Sequence, residues 1–429
     1  MFGSRKFVSL FCGLLLGIAW ISSLAANAAE KVVIMTSYPQ EMISQFEAAF
    51  EKQFPQYRLE VLWKQSNDAL PYLTQHHGEV DVYWTPSRQN FLELKKQGLL
   101  QTLDPAWIKS PASFHGSLLN DPQGYYAATE IAGLGMVISP TAFAKAKLPM
   151  PKDWQDLTQP ALQGQIVFPL PSKIGFAGGL IDAMLKEKSW SEGWVMLTNI
   201  TLNARFIEHG AMFITDEVSA GRAMVGITMD FFAASAIAKG APLQYIYPPV
   251  VAYSPAHVAI LKDAPHLEAA RDFSQFTLSS AGQQLLFTPD IRKLPVDPAV
   301  YAQRPQDYFN PYAVAESKGE KVRDVIEQNL LNAYFEATLA KHQSLLQSLF
   351  VNLNFARHLK RDPVKINDIE QQLLQPLLSE QQLFTAEHYQ RFQQDQSSEK
   401  EALIKQWSEQ ARIRYLSIAN TLQTLLVTP

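Results

Sequence analysis

The chain has 429 residues, 47% of them hydrophobic and 18% charged, which is ample material for a core in two or three domains and excludes wholesale disorder. Lys and Arg number 37 against 41 Asp and Glu, a net charge of −4, so the cationic excess of a dedicated nucleic-acid binder is missing. One cysteine, Cys12, cannot build a disulfide scaffold, a cysteine-based zinc site or an iron–sulfur cluster.

The first residues address the compartment. Arg5 and Lys6 form a positive start, an apolar stretch runs from Phe7 to Ile21, and Ala26-Asn27-Ala28 has the small-x-small pattern that a signal peptidase reads. The apolar run is shorter than the ~20 residues of a membrane span. A secretory signal peptide over 1–29, cut after Ala28 or Ala29, and a periplasmic mature chain are expected. Cys12 lies too early, behind Ser9-Leu10-Phe11, for a lipoprotein signal.

From there the elements alternate. Residues 31–35 form a short β-rich apolar run that Thr36-Ser37-Tyr38-Pro39 breaks, and Ile43, Phe46, Ala49 and Phe50 then share a helical face ending at Pro55. Arg58 to Trp63 reads as a strand, Ser66-Asn67-Asp68 opens a helix, Val80–Trp84 is a third strand, and Thr85-Pro86-Ser87 precedes a helix over 90–96. This β-α-β-α-β order predicts a wound α/β lobe with a mostly parallel sheet. Tyr125–Thr129 and Leu134–Ile138 read as an extended run with a glycine break. A second α/β set follows, with strands at 166–168 and 223–228 and helices near 177–186 and 192–199. Tyr245–Pro249 is extended again, then a strand at 257–261 and helices at 265–278 and 279–287 close the set. Two lobes joined by two extended crossings, with a cleft between them, account for this order. The expected division is lobe 1 at 30–125 and 248–312, lobe 2 at 126–247, and a helical extension at 313–429.

In that extension no glycine follows Gly319, and Leu331, Phe335, Leu339, Leu346, Leu349 and Leu353 recur at helical offsets. Ile404, Trp407, Ala411, Tyr415, Ile418, Leu422 and Leu425 do the same. With Pro363 and Pro376 as punctuation, three or four amphipathic helices are expected.

Four strand-to-helix breaks carry hydroxyl or amide side chains: Thr36-Ser37-Tyr38, Ser66-Asn67, Thr85-Pro86-Ser87 and Pro171-Ser172-Lys173-Ile174-Gly175. Backbone N–H groups and a short donor at the positive end of a helix suit an anion. The candidate solute-binding residues are therefore Ser37, Tyr38, Asn67, Thr85, Ser87, Ser172, Lys173 and Gly175, with Asp230 as an acceptor for a hydroxyl or ammonium. Ser, Thr and Asn in such places also serve as plain helix caps, and Lys173 and Arg88 as surface charges. His76-His77 is not a metal pair, because adjacent residues on a helix do not face one another.

Trp154-Gln155-Asp156-Leu157 with Gly164-Gln165-Ile166, then Val218 to Asp230 (V-S-A-G-R-A-M-V-G-I-T-M-D), then Glu268-Ala269-Ala270-Arg271-Asp272-Phe273 with Leu278-Ser279-Ser280-Ala281-Gly282-Gln283, resemble in order the bacterial periplasmic solute-binding proteins. The resemblance covers roughly 30–300. It implies a two-lobed type II periplasmic-binding-protein-like α/β fold, here with a C-terminal all-α extension, in the branch that holds ferric-ion, phosphonate and sugar-phosphate binders. Ferric members place paired tyrosines after the position of Asp230; here Phe231-Phe232 stand there, and a ring without a phenolate cannot ligate Fe³⁺. Leu331 to Leu359 is similar to the helical tail of the phosphoglycerate transport regulatory proteins, exported components that work with a sensor kinase. The resemblance implies capture of a small anionic organic solute, phosphoglycerate- or phosphonate-like, by a monomer, and its presentation to an inner-membrane ABC permease or a sensor kinase. The alternatives are a ferric-ion-binding transport protein and a regulatory interaction protein without a ligand. No cofactor and no metal are expected. Catalysis is not expected either: Gly-x-Ser-x-Gly and His-Glu-x-x-His do not occur.

Overall fold

A computed structural model describes residues 29–427, apart from 116, 187, 209–210, 290, 307, 315–322 and 394–397. The expected signal peptide, with Arg5, Lys6 and Cys12, falls on residues 1–28, outside the described residues. The strands are β1 (Glu30–Thr36), β2 (Tyr57–Trp63), β3 (Val82–Thr85), β4 (Ser113–Phe114), β5 (Ser117–Leu118), β6 (Ala127–Ile138), β7 (Ile166–Pro169), β8 (Ala204–Ile207), β9 (Val225–Met229), β10 (Gln244–Ile246), β11 (Tyr253–Ile260) and β12 (Leu294–Pro295). Helices α1 (Gln40–Gln53), α2 (Ser66–His76) and α3 (Arg88–Lys96) flank the first three strands, and α4 (Pro140–Ala146) follows β6. Next come α5 (Leu180–Leu185), α6 (Trp190–Asn203), α7 (Ala211–Ser219), α8 (Asp230–Ala238), α9 (Leu267–Leu278) and α10 (Ser280–Leu285).

The main sheet runs β2-β1-β3-β11-β6-β9-β7-β8, with β10 and β12 also paired to β6. Parallel β1–β2–β3 and parallel β7–β8–β9 form the two lobes, and β6 is antiparallel to both β11 and β9. Residues 127–133 of β6 pair with β11, and residues 134–138 pair with β9. One strand therefore belongs to both lobes, and the segment between β10 and β11 is the second crossing. This is the expected two-lobed type II α/β fold with a C-terminal helical extension.

The expected glycine break in β6 does not occur. A Cβ on Gly135 would lie 2.5 Å from the Ile246 carbonyl oxygen and 2.8 Å from the Tyr245 hydroxyl, and one on Gly133 would lie 2.8 Å from the Tyr247 ring. Gly135 admits β10 and Gly133 admits the second crossing against β6; they do not interrupt the strand.

The extension holds α11 (Val325–Thr338), α12 (Gln343–His358), α13 (Pro363–Leu374), α14 (Glu380–Leu383), α15 (Ala386–Gln393) and α16 (Ser398–Val427), more segments than the expected three or four. Pro363 takes the first helical position of α13 behind Asp362, whose carboxylate accepts from the Val364 and Lys365 N–H groups. The buried stripe Leu331, Phe335, Leu346, Leu349, Leu353, Trp407, Ala411, Tyr415, Ile418 and Leu422 does not close only on itself. It shares one hydrophobic core with Trp154, Phe168, Leu180, Met184 and Trp194 of lobe 2. Phe335 stacks on Phe168 with centroids 5.8 Å apart, and Tyr334 meets Trp194 edge to face at 5.1 Å. No helix among the described residues is long and apolar enough to cross a membrane.

Candidate functional site

Parallel β1 and β3 bring their carboxyl ends side by side, with Thr36 opposite Trp84. The residues after them therefore meet: Ser37 Oγ lies 2.6 Å from Thr85 Oγ1. The chain then turns, with the Tyr38 N–H donating to Thr36 Oγ1 and Trp63 Nε1–H donating to the Tyr38 carbonyl. Tyr38 is folded inward, its ring edge-on to Trp84 and its hydroxyl donating to Glu130 Oε1.

Glu130 lies on β6, a strand buried along its whole length. Its carboxylate accepts from Tyr38, from the Thr129 hydroxyl and, at 3.1 Å, from Lys293 Nζ. Lys293 stands just before β12, which pairs with β6 at Ile131 and Glu130, so register fixes the ammonium beside its carboxylate. Both side chains are almost fully buried, at 5% and 1% exposure. A lone buried charge would be costly, and the pair leaves neither alone. Burial and the adjacent Glu130 charge together push the Tyr38 phenol well above its ordinary pKa.

The Lys293 ammonium also sits 4.5 Å over the Tyr38 ring and 4.5 Å over the Phe231 ring. Tyr38 belongs to lobe 1, whereas Phe231 is in the first turn of α8 in lobe 2. One cation thus touches both lobes through aromatic faces, whose quadrupoles attract it. Phe231 and Phe232 are half-buried neighbours with centroids 4.2 Å apart.

Asp230, at the carboxyl end of β9, is buried and accepts from the Gly133 N–H at 2.8 Å, the Phe231 N–H at 2.7 Å and the Tyr247 hydroxyl at 2.9 Å. Burial pushes its carboxyl up from 3.8 to about 6, against the opposing pull of those three donors and of Lys293. Two of its three partners, Gly133 and Tyr247, lie on the two crossings, so Asp230 ties α8 to both.

The remaining sequence candidates are dispersed. Ser87 is the half-buried N-cap of α3 and makes no side-chain cap bond. Asn67 lies inside the first turn of α2, behind Gln65 as N-cap, and its side chain is outside the described residues. Gly175 opens a 3₁₀ turn over Gly175–Gly179, and Lys173 is exposed. Ser172 differs most from expectation. Its N–H and hydroxyl donate to the two carboxylate oxygens of Glu336 at 2.7 and 2.6 Å, so the break after β7 holds an anion supplied by α11. His76 and His77 face separate carboxylates, Glu79 and Asp263.

Sequence reading missed Glu130, Lys293 and the role of the Phe231 ring. One signal was present for Glu130: it is the only ionisable residue in the apolar run 127–138, and a buried carboxylate needs a partner. Lys293 carries no such mark, since only the β12–β6 register brings it 163 residues back along the chain to Glu130.

Residues 81–308, more than half of the chain, match the bacterial extracellular solute-binding protein family, and the chain belongs to it. Over 225 residues it is 30% identical to the phosphoglycerate transport regulatory protein PgtC of Salmonella typhimurium, covering 52% of this chain and 55% of that protein. The chain thus spans about half the length of the curated relatives it matches. The periplasmic binding protein AfuA of Actinobacillus pleuropneumoniae, solved with fructose-6-phosphate bound, superposes with a TM-score of 0.55 at 20% identity over 67% of this chain and 91% of its own. Iron-bound HitA of Pseudomonas aeruginosa superposes at 0.57 with 15% identity, over 71% and 99%. At these identities the structural likeness speaks to the fold alone.

Proposed function

We propose that this is an exported solute-binding protein that captures a small anionic organic solute, carrying phosphate or carboxylate, between its lobes. The leader is removed near Ala28, the mature chain is a periplasmic monomer, and it performs no catalysis. The observation that carries the reading is the Lys293 ammonium, buried against Glu130 and flanked by the rings of Tyr38 and Phe231 from opposite lobes. A solute anion entering between the lobes shares the Lys293 ammonium with Glu130, which stays paired, and has Ser37, Tyr38 and Thr85 as neighbouring hydroxyl groups. The name of PgtC supports a phosphorylated three-carbon solute. The closed form is then presented to an ABC permease or a sensor kinase. Phe231 and Phe232 occupy positions where a ferric site needs phenolates, which disfavours iron.

Native mass spectrometry of the exported protein, followed by calorimetric titration of phosphoglycerates, sugar phosphates and phosphonates, tests this reading. Lys293→Gln is expected to weaken the bound solute by about one to two decades, the loss of one charge-assisted hydrogen bond. Unchanged affinity moves the site away from Lys293, and tight Fe³⁺ binding with tyrosinate colour overturns the solute class.

A further inference from the structure

We propose that the tip of the helical extension, where α12 and α16 end and α13 begins, docks on an anionic phospholipid surface. Leu346, Leu349, Leu353 and Ala356 bury one face of α12. Another face carries Val351, Phe355 and Leu359 at four-residue spacing, exposed to 61%, 51% and 40%. Val364, in the first turn of α13, and Val427, at the end of α16, are 75% and 76% exposed. Arg361 joins these ends, because its Nη2 donates to the Leu426 carbonyl at 2.8 Å. Arg361 thus ties the end of α16 to the turn between α12 and α13.

The turn from α12 into α13 carries a local excess of cations. Residues 357–365 hold Arg357, Lys360, Arg361 and Lys365 against Asp362, in a chain whose net charge is −4. Arg357 pairs with Glu370. Lys365 lies 3.9 Å from Asp362 on an exposed surface, where such a pair is weak. Lys360 occupies the left-handed turn between α12 and α13.

Exposed aliphatic and aromatic side chains interleaved with cations are the chemistry of an interfacial element: the apolar groups enter the headgroup boundary and the cations meet lipid phosphate. A protein-binding centre favours Trp, Tyr and Arg anchors in desolvated pockets, whereas the apolar groups here, Val351, Phe355, Leu359, Val364 and Val427, are 40% to 76% exposed. The proposal draws on the solute-binding reading only in requiring that the protein work beside a membrane.

Co-sedimentation of the mature protein with phosphatidylglycerol–phosphatidylcholine vesicles, against phosphatidylcholine alone, tests it. Binding to the anionic vesicles only, weakened by added NaCl, is expected. Lys360→Gln with Lys365→Gln should lower partitioning about 25-fold, at about five-fold per charge. Phe355→Ser with Leu359→Ser should lower it as well, and the exposed positions of all four residues leave the thermal midpoint near wild type. Equal binding to both vesicle types, or binding indifferent to these variants, overturns the proposal. So does absence of vesicle binding when a photo-crosslinker at 355 captures a membrane protein in cells, because the partner is then a protein. Phosphoglycerate titration of the same samples reports separately on the solute site, so the two readings fail independently.

Discussion

Glu130 and Lys293 dominate the energetics of the site because each is the other's counter-ion. Lys293→Met leaves Glu130 buried without its cation and should cost about 3–5 kcal/mol. Adding Glu130→Gln should recover much of that loss. Urea denaturation of the single and double variants measures the coupling, and additive losses would mean that the two residues do not act as a pair. Asp230 gives a pH signature. Its carboxyl is raised from 3.8 to about 6 in the folded state, so between those values the native state holds a proton that the unfolded chain has released. Its contribution to stability is fully present below pH 3.8 and is lost as pH rises through about 6, amounting to about 3 kcal/mol at most. Asp230→Asn should flatten that segment of a stability–pH curve measured by urea denaturation. A curve with unchanged slope would show that Asp230 titrates normally. Asp230 was legible in sequence because it closes a recognisable stretch, whereas Lys293 was not, because its meaning depends on a pairing of distant strands.

At the scale of elements, strand positions were legible wherever short apolar runs ended in Pro, Ser or Thr, as in β1, β3 and β7. The reading failed at β6, where Gly133 and Gly135 look like breaks but serve close approach. Gly135→Ala should therefore destabilise by about 1–3 kcal/mol, the usual cost of overpacking a fixed backbone, and should loosen β10 from β6. A thermal midpoint unchanged by Gly135→Ala would show that Ile246 and Tyr245 can retreat. Helix stripes in the extension were legible, but their destination was not. Periodicity shows that a face is buried and says nothing about which partner buries it. The cations of that extension have partners within it: Arg412 pairs with Glu409, and Arg414 donates to the carbonyls of Gln372 and Pro376. Arg414→Glu consequently loosens α13 from α16, and Arg412 is the better surface probe.

In the whole molecule the extension is part of lobe 2. Phe168, Trp194 and Phe206 pack on α11, so deletion after Pro311 exposes that core and should abolish cooperative folding of lobe 2, not merely silence a partner signal. Arg323 anchors the start of α11 by pairing with Asp182 of lobe 2 and Glu380 of α14. Glu336, near the other end of α11, fills the break after β7 through Ser172. Two of the parallel strands of lobe 2, β7 and β9, end toward the half of β6 that pairs with lobe 1, so this break and Asp230 share one end of the sheet. An anion held there by the chain itself competes with any solute anion that needs the same N–H and hydroxyl. Glu336→Ala should lower stability by about 1–2 kcal/mol through loss of charge-assisted hydrogen bonds. If the break serves the solute, the same change should raise solute affinity by about ten-fold, since the occupant has been removed. Paired calorimetry and denaturation decide the matter. Reduced stability with unchanged affinity would make Glu336 purely an anchor of the extension and would remove Ser172 and Lys173 from the solute site, leaving it to Lys293 and the hydroxyls of lobe 1.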